Sequence, residues 1–197
     1  MPDAITSLRE DHRRVEKLFK EFEKLEKNDG SASAKRKVVG EIIRELAEHA
    51  WIEEQVFYPA VREGVKDAED VVLEGLEEHH IVKWTLSELE GMKGDEERFD
   101  AKTKVLIESV RHHVEEEEGE MFPQVREVIK RKALTELGEK MDEARGKAPT
   151  SPQPKAPDEP PPGTPPGSVP AAPAESSAEK GKGGLLGLRR AKAGTKS

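Results

Sequence analysis

The chain has 197 residues, of which 38% are charged, 34% hydrophobic and 4% aromatic, which suits one ordinary domain with a lean aliphatic core and residues to spare. The formal net charge is −8; residues 146–197 hold eight Lys/Arg against four Asp/Glu, or +4, which leaves −12 on residues 1–145 and argues against nucleic-acid binding by that body. There is no cysteine, hence no disulfide, iron–sulfur cluster or thiol nucleophile; no apolar run approaches the ~18 residues of a membrane helix and Met1–Thr6 does not resemble a signal peptide, so a soluble, cytoplasmic protein without a membrane span is expected.

Apolar residues recur at helical spacing through residues 1–145 and predict four long helices. The first stripe runs Ile5, Leu8, Val15, Leu18, Phe19, Phe22, Leu25 and stops before the breaker cluster Asn28-Asp29-Gly30. The second runs from Val38 through Ile42, Leu46, Ala50 and Phe57 to Val61 and fades at Gly64. The third runs Val72, Leu76, Val82, Leu86, Leu89 and ends around Gly91, and the fourth runs from Val105 and Val110 to Val125 and Ile129. A shorter helix is expected from Leu134 to Met141. No β-branched and aromatic run alternates with polar residues, so no strand is expected.

Four amphipathic segments joined by short polar loops predict an all-α, up-down-up-down four-helix bundle over residues 1–145. Residues 146–197 are expected to be a disordered Pro/Gly/Ala-rich tail, since 11 of the 14 prolines lie between Pro149 and Pro173 and the segment has no aromatic residue. Pro160-Pro161-Pro162 reads as a polyproline spacer. The six basic residues from Lys180 onward, beside Leu185-Leu186-Gly187-Leu188, leave room for a weak tail-mediated protein contact.

All six histidines lie in the helical body, and the apolar seam of each helix passes through one of them. His12 continues Ile5-Leu8, His49 continues Ile42-Leu46, His79 continues Val72-Leu76, and His113 continues Leu106-Val110, so these four point into the bundle. The line through His80 is half polar and that through His112 is mixed; His79 and His113 are preferred, without His80 being eliminated. Glu53 and Glu117 follow His49 and His113 by four residues and share their faces. Glu54 and Glu118, one residue on, are rotated roughly 140° from the histidines. Residues 49–59 also superpose on residues 113–123, with His, both Glu, an aromatic and Pro59 or Pro123 coinciding. The chain therefore reads as two helical hairpins, each supplying a histidine and an HxxxE motif.

Four buried imidazoles beside two buried carboxylates are untenable without a compensating cation. Nitrogen and oxygen donors without sulfur suit iron, manganese or zinc, and six donors are too many for one tetrahedral zinc. Two bridging glutamates and four histidines supply eight bonds; an oxo or hydroxo bridge adds two more, leaving about two open positions on a pair of octahedral ions. The expectation is a dinuclear centre in the bundle core, two oxo- or hydroxo-bridged iron ions held by His12, His49, Glu53, His79, His113 and Glu117.

The H…HxxxE…H…HxxxE pattern, His12, His49-x3-Glu53, His79 and His113-x3-Glu117, with a proline ten residues after His49 and His113, resembles the hemerythrin-like (HHE cation-binding) domain family over residues 1 to about 131. The resemblance implies a non-heme di-iron bundle that binds or senses O2, NO, peroxide or iron, with a small diatomic or peroxide ligand as partner. A di-iron redox enzyme turning over peroxide or O2 is the alternative. The oxygen-carrying branch of that family has a fifth histidine where this chain has Lys83, and it places its fourth-helix carboxylate five residues after the histidine, the position of Glu118. These departures weigh against simple oxygen carriage and toward sensing or redox chemistry. A ferritin-like centre needs two Glu-x-x-His pairs, whereas only Glu77-x-x-His80 occurs.

Overall fold

The structure, a computed structural model, describes residues 2–153 with the exception of Asp67. Asp3 begins the first helix: its carboxylate accepts from the Thr6 N–H at 2.9 Å and satisfies one of the orphan donors of the first turn. Helix α1 then runs Ala4–Lys27. It stops where Asp29 turns left-handed (φ 53°) and the Gly30 N–H closes on Leu25 O at 2.7 Å. Ser31 caps α2 (Ala32–Ile52), accepting from the Ala34 N–H at 3.2 Å.

The second rod continues past Ile52 through a π-helical turn, Glu53–Phe57, into α3 (Tyr58–Gly64). Helices α4 (Glu69–Glu90) and α5 (Phe99–Glu116) follow, and a second π-helical turn, Glu117–Met121, leads into α6 (Phe122–Val128). Both π turns fall at the same place in the internal repeat, just ahead of Pro59 and Pro123. A proline has no N–H and its ring collides with the carbonyl four residues back. The widened turns, in which the Tyr58 N–H bonds to Glu53 O and the Phe122 N–H to Glu117 O, accommodate the prolines without breaking either rod.

Neighbouring rods are antiparallel. Arg9 pairs with Glu118 at 3.3 Å near the start of α1, and Lys104 with Glu26 at 2.8 Å near its end, so α5 runs opposite to α1. Likewise Arg36 bonds to Glu90 O at 3.0 Å while Lys83 meets Glu54 at 2.8 Å, so α4 runs opposite to α2. The up-down-up-down bundle expected from the sequence is the observed fold, and the described residues contain no strand. No described helix is long and apolar enough to cross a membrane.

The helix count exceeds four. Helix α7 (Arg131–Arg145) is longer than the expected Leu134–Met141 piece, because Leu134, Leu137 and Met141 are buried in the same cluster as Ala4, Ile5 and Leu8. Residues 146–153, assigned to the tail from sequence, touch the body through Ser151, whose hydroxyl donates to Glu90 Oε1 at 2.7 Å. The rest of the expected disordered tail, 154–197, with its polyproline and basic stretches, lies outside the described residues.

Apolar packing forms two layers. One holds Ile5, Leu8, Phe57, Val61, Phe122 and Met141; the other holds Phe19, Phe22, Ile42, Leu86, Phe99 and Leu106. Every inward histidine lies on its helix between residues of the two layers. At Gly138 a Cβ would fall 2.7 Å from Pro2 O and 3.0 Å from Ala4 N, so only glycine lets α7 approach the N-terminal backbone this closely. Gly138→Ala should therefore lower stability by about 1–3 kcal/mol, read as a lower thermal midpoint; an unchanged midpoint would mean that this contact does not hold α7 in place.

Candidate metal centre

The six residues singled out from the sequence meet in one buried layer. His12, His49, Glu53, His79, His113 and Glu117 are each at most 6% exposed. Glu53 Oε2 lies 3.1 Å from His49 Nε2 and 3.3 Å from His79 Nε2. Glu117 Oε2 lies 3.3 Å from His12 Nε2 and 3.6 Å from His113 Nε2. Each carboxylate thus spans the two halves of the bundle. Ligand atoms of His12, His49, Glu53 and Glu117 all fall within 4.8 Å of one another, as do those of Glu53, His79 and His113. Two neighbouring groups that share Glu53 each have the donors to hold a metal ion.

The atoms that face this centre have poor protein partners. Both oxygens of Glu53, Oε2 of Glu117 and Nε2 of His12 and His49 are buried without a hydrogen bond among the described residues. His79 Nε2 and His113 Nε2 face each other at 3.2 Å. Buried polar atoms of this kind are normally hydrogen-bonded, and a group of them converging on one point fits a metal site.

Around the six lies an outer ring of carboxylates. The Nδ1–H of His12 donates to Glu118 Oε1 at 2.9 Å, that of His79 to Glu54 Oε1 at 3.2 Å and that of His113 to Glu78 Oε2 at 2.6 Å. His49 Nδ1 faces Asp11 Oδ2 at 3.7 Å, an ion-pair distance rather than a hydrogen bond. A proton held on Nδ1 leaves the Nε2 lone pair free to bind a cation. These supports follow the pseudo-twofold of the sequence: Glu54 and Glu118 each follow an inward glutamate, and Asp11 and Glu78 each precede an inward histidine.

Sequence reasoning set Glu54 and Glu118 aside as rotated away from the histidines. The π turns begin at Glu53 and Glu117, so fixed rotation of 100° per residue fails there, and the next glutamate turns toward a histidine on another helix. Lys83, read from sequence as a missing histidine, donates to both oxygens of Glu54 at 2.8 and 3.0 Å. Asp11 is held by Arg145 at 2.5 Å and also pairs with Arg14, so the end of α7 ties into the outer ring. Neither His80 nor His112 contributes to the two buried groups; the His112 side chain is 64% exposed and joins a surface group with Glu78 and Glu116.

Tyr58 is the remaining polar side chain at the centre. Its ring stacks on His79 (centroids 5.5 Å apart) and its hydroxyl donates to Glu117 Oε1 at 3.1 Å. Phe122, its counterpart in the repeat, stacks on His12 at 5.9 Å without a hydroxyl. Gly75 makes room for the phenol, since a Cβ there would lie 2.9 Å from the Tyr58 oxygen.

Burial dominates the electrostatics of the metal-free layer. Burial, then the Glu117 charge, raises the Glu53 carboxyl well above the ordinary range. Burial also opposes ionisation of Glu117, but the His113 charge and the His12 contact outweigh it and hold Glu117 ionised. Burial lowers His49 to about 4 and lowers His79. For His113 the same burial is outweighed by Glu117 and Glu78, and its pKa rises. Burial resists the charge on Asp11 too, yet His49 and Arg145 bring it down to about 2.

A cation-binding bundle is the class that this fold and this layer define. The chain belongs to the Hemerythrin HHE cation binding domain family, which matches residues 3–125. It is similar to an uncharacterized hemerythrin-like protein of Schizosaccharomyces pombe, 25% identical over 148 residues, covering 75% of this chain and 71% of the relative. It also resembles a DNA nickase of Nostoc sp., 29% identical over 121 residues, 60% of this chain but only 32% of the nickase, so the likeness spans about a third of that protein. Among solved structures, a hemerythrin HHE cation binding domain-containing protein from Mycobacterium kansasii superposes with a TM-score of 0.62 at 26% identity, covering 75% of this chain and 87% of that one. Helix α7 lies beyond the family match.

Two outcomes follow from the site. Glu78→Ala should weaken metal binding about 10–100-fold in a chelator competition without changing the number of ions bound; wild-type affinity would show that His113 needs no such support. Metal binding should release protons, because a cation competes with the protons that burial favours on Glu53 and that Glu117 and Glu78 favour on His113. A pH indicator in weakly buffered solution reads this, and metal uptake without acidification would contradict the protonation scheme.

Proposed function

We propose that the chain is a non-heme di-iron protein that binds or senses O2, NO, peroxide or iron at His12, His49, Glu53, His79, His113 and Glu117. The observation that carries this reading is the set of buried, unpartnered Glu53, Glu117, His12 and His49 atoms converging in one layer. Nitrogen and carboxylate oxygen without thiolate suit iron better than softer metals, and two cation positions sharing Glu53 suit a bridged pair. Iron bound there would supply a redox-active Lewis acid able to take up a small oxidant.

The chain's own residues perform the rest. Glu53 and Glu117 neutralise cationic charge and fix the spacing of the two halves. The outer carboxylates keep His12, His79 and His113 each in one tautomer, and Leu8, Val15, Leu46, Val82 and Val110, all buried, limit water near the centre. The net negative charge of the body does not favour phosphate contacts, so the nickase likeness is not carried over to this chain.

Turnover of peroxide or O2 is the second reading, and Tyr58 favours it. Its hydroxyl sits 3.1 Å from Glu117 Oε1, and burial followed by the Glu117 charge keeps the phenol protonated, so a proton is stored beside the donor set. Iron analysis after aerobic purification should give about two ions per chain, lost in Glu117→Ala and kept in His112→Ala; iron-free wild-type protein would defeat both readings. Peroxide added to the reduced protein then divides them, since a stable coloured species means binding and catalytic consumption means an enzyme.

A further inference from the structure

A cavity of about 670 Å³ lies in the seam between α1 and α5 and reaches His12 and His49. Val15, Phe19, Leu46, Val110 and Val114 form its apolar walls, and charged side chains, among them Arg13, Lys17, Arg111 and Glu115, line the rest. That volume falls within the range of small-molecule sites, about 300–1,000 Å³. It is far larger than a diatomic gas needs, since a water molecule occupies only about 30 Å³ of liquid. On the opposite side of the centre the Tyr58 ring stacks on His79, with centroids 5.5 Å apart.

The charges around the opening are uneven. Arg111 is engaged by Glu16 at 3.0 Å and Glu23 at 2.7 Å, Lys20 by Glu16 at 3.3 Å, and Glu118 by Arg9 and His12. Arg13 and Lys17, one turn apart on α1 and exposed at the rim, take part in no ion pair among the described residues. Among the lining residues outside any ion pair, the two cations Arg13 and Lys17 thus outnumber the one carboxylate, Glu115, in a body whose overall charge is strongly negative.

We infer that this chamber is a binding site for an amphipathic monocarboxylate, with its head between Arg13 and Lys17 and its apolar body directed along Phe19 and Leu46 toward His12 and His49. Apolar walls select an aliphatic or aromatic body, and the paired cations select an anionic head. The site deepens the di-iron reading by giving the centre an organic ligand on its His12/His49 side, and for that role it rests on that reading. The chamber reaches His12 and His49 whereas Tyr58 stacks on His79, so the two halves of the pseudo-symmetric layer differ in their surroundings.

Calorimetric titration of the full chain with octanoate and with octan-1-ol, on iron-loaded and metal-free samples, tests this. Saturable binding of one octanoate per chain is expected, with octan-1-ol weaker. The double variant Arg13→Glu/Lys17→Glu should weaken octanoate at least about tenfold and leave octan-1-ol unchanged. Leu46→Trp, or Val110→Phe should the first fail to fold, should abolish both by filling the chamber. No saturable octanoate binding, equal binding of the alcohol, or binding indifferent to the filling variants would overturn the inference. Iron content of the same samples separates the claims: octanoate bound by a chain that takes no iron sinks the di-iron reading, whereas iron without octanoate sinks the chamber alone.

Discussion

Two carboxylates and four imidazoles lie between the apolar layers of this bundle, with too few hydrogen bonds inside the layer to offset their removal from water. Burying an ionised carboxylate without a partner costs several kcal/mol, and the cost here falls on Glu53 and Glu117 together. Burial and the Glu117 charge raise the Glu53 carboxyl, while against the same burial His113 and His12 hold Glu117 low. A bound cation would ease the cost of burial further, because it would supply opposite charge to the glutamates and an acceptor for the inward lone pairs. The rest of the fold is organised around that polar layer.

Each surrounding feature serves the geometry of the layer. The π turns ahead of Pro59 and Pro123 let two rods carry an inward glutamate and, one residue later, a glutamate that supports a histidine on another helix. Lys83 and Arg145 pair with the outer carboxylates Glu54 and Asp11, so the negative charge of the outer ring does not accumulate unbalanced. Arg145 stands at the end of α7, beyond the part of the chain that matches the family, and links the support of His49 to the docking of that helix. Gly75 plays a similar part for Tyr58 by leaving space for the phenol oxygen.

Much of this was legible in the sequence because the bundle is regular where the seams run. Residues spaced by three and four share a face, and that rule alone directed His12, His49, His79 and His113 inward and separated His113 from His112. It fails where regularity fails: Glu54 and Glu118 sit inside π turns, just ahead of Pro59 and Pro123, where rotation per residue departs from that of an α-helix. Asp11 and Glu78 left no periodic signal, since their role depends on which neighbouring helix each faces. The cavity beside His12 and His49 depends on the separation of α1 and α5, which no local pattern encodes. The extent of α7 was understated because its apolar positions are sparse and gain meaning only against Ala4, Ile5 and Leu8.

The most direct test of a shared cation pair is anomalous diffraction at the iron edge from crystals of the iron-loaded chain. Two peaks about 3.5–4 Å apart are expected, one beside His12 and His49, the other beside His79 and His113, with Glu53 and Glu117 touching both. A single peak, or peaks confined to the surface group Glu78, His112 and Glu116, would contradict the account.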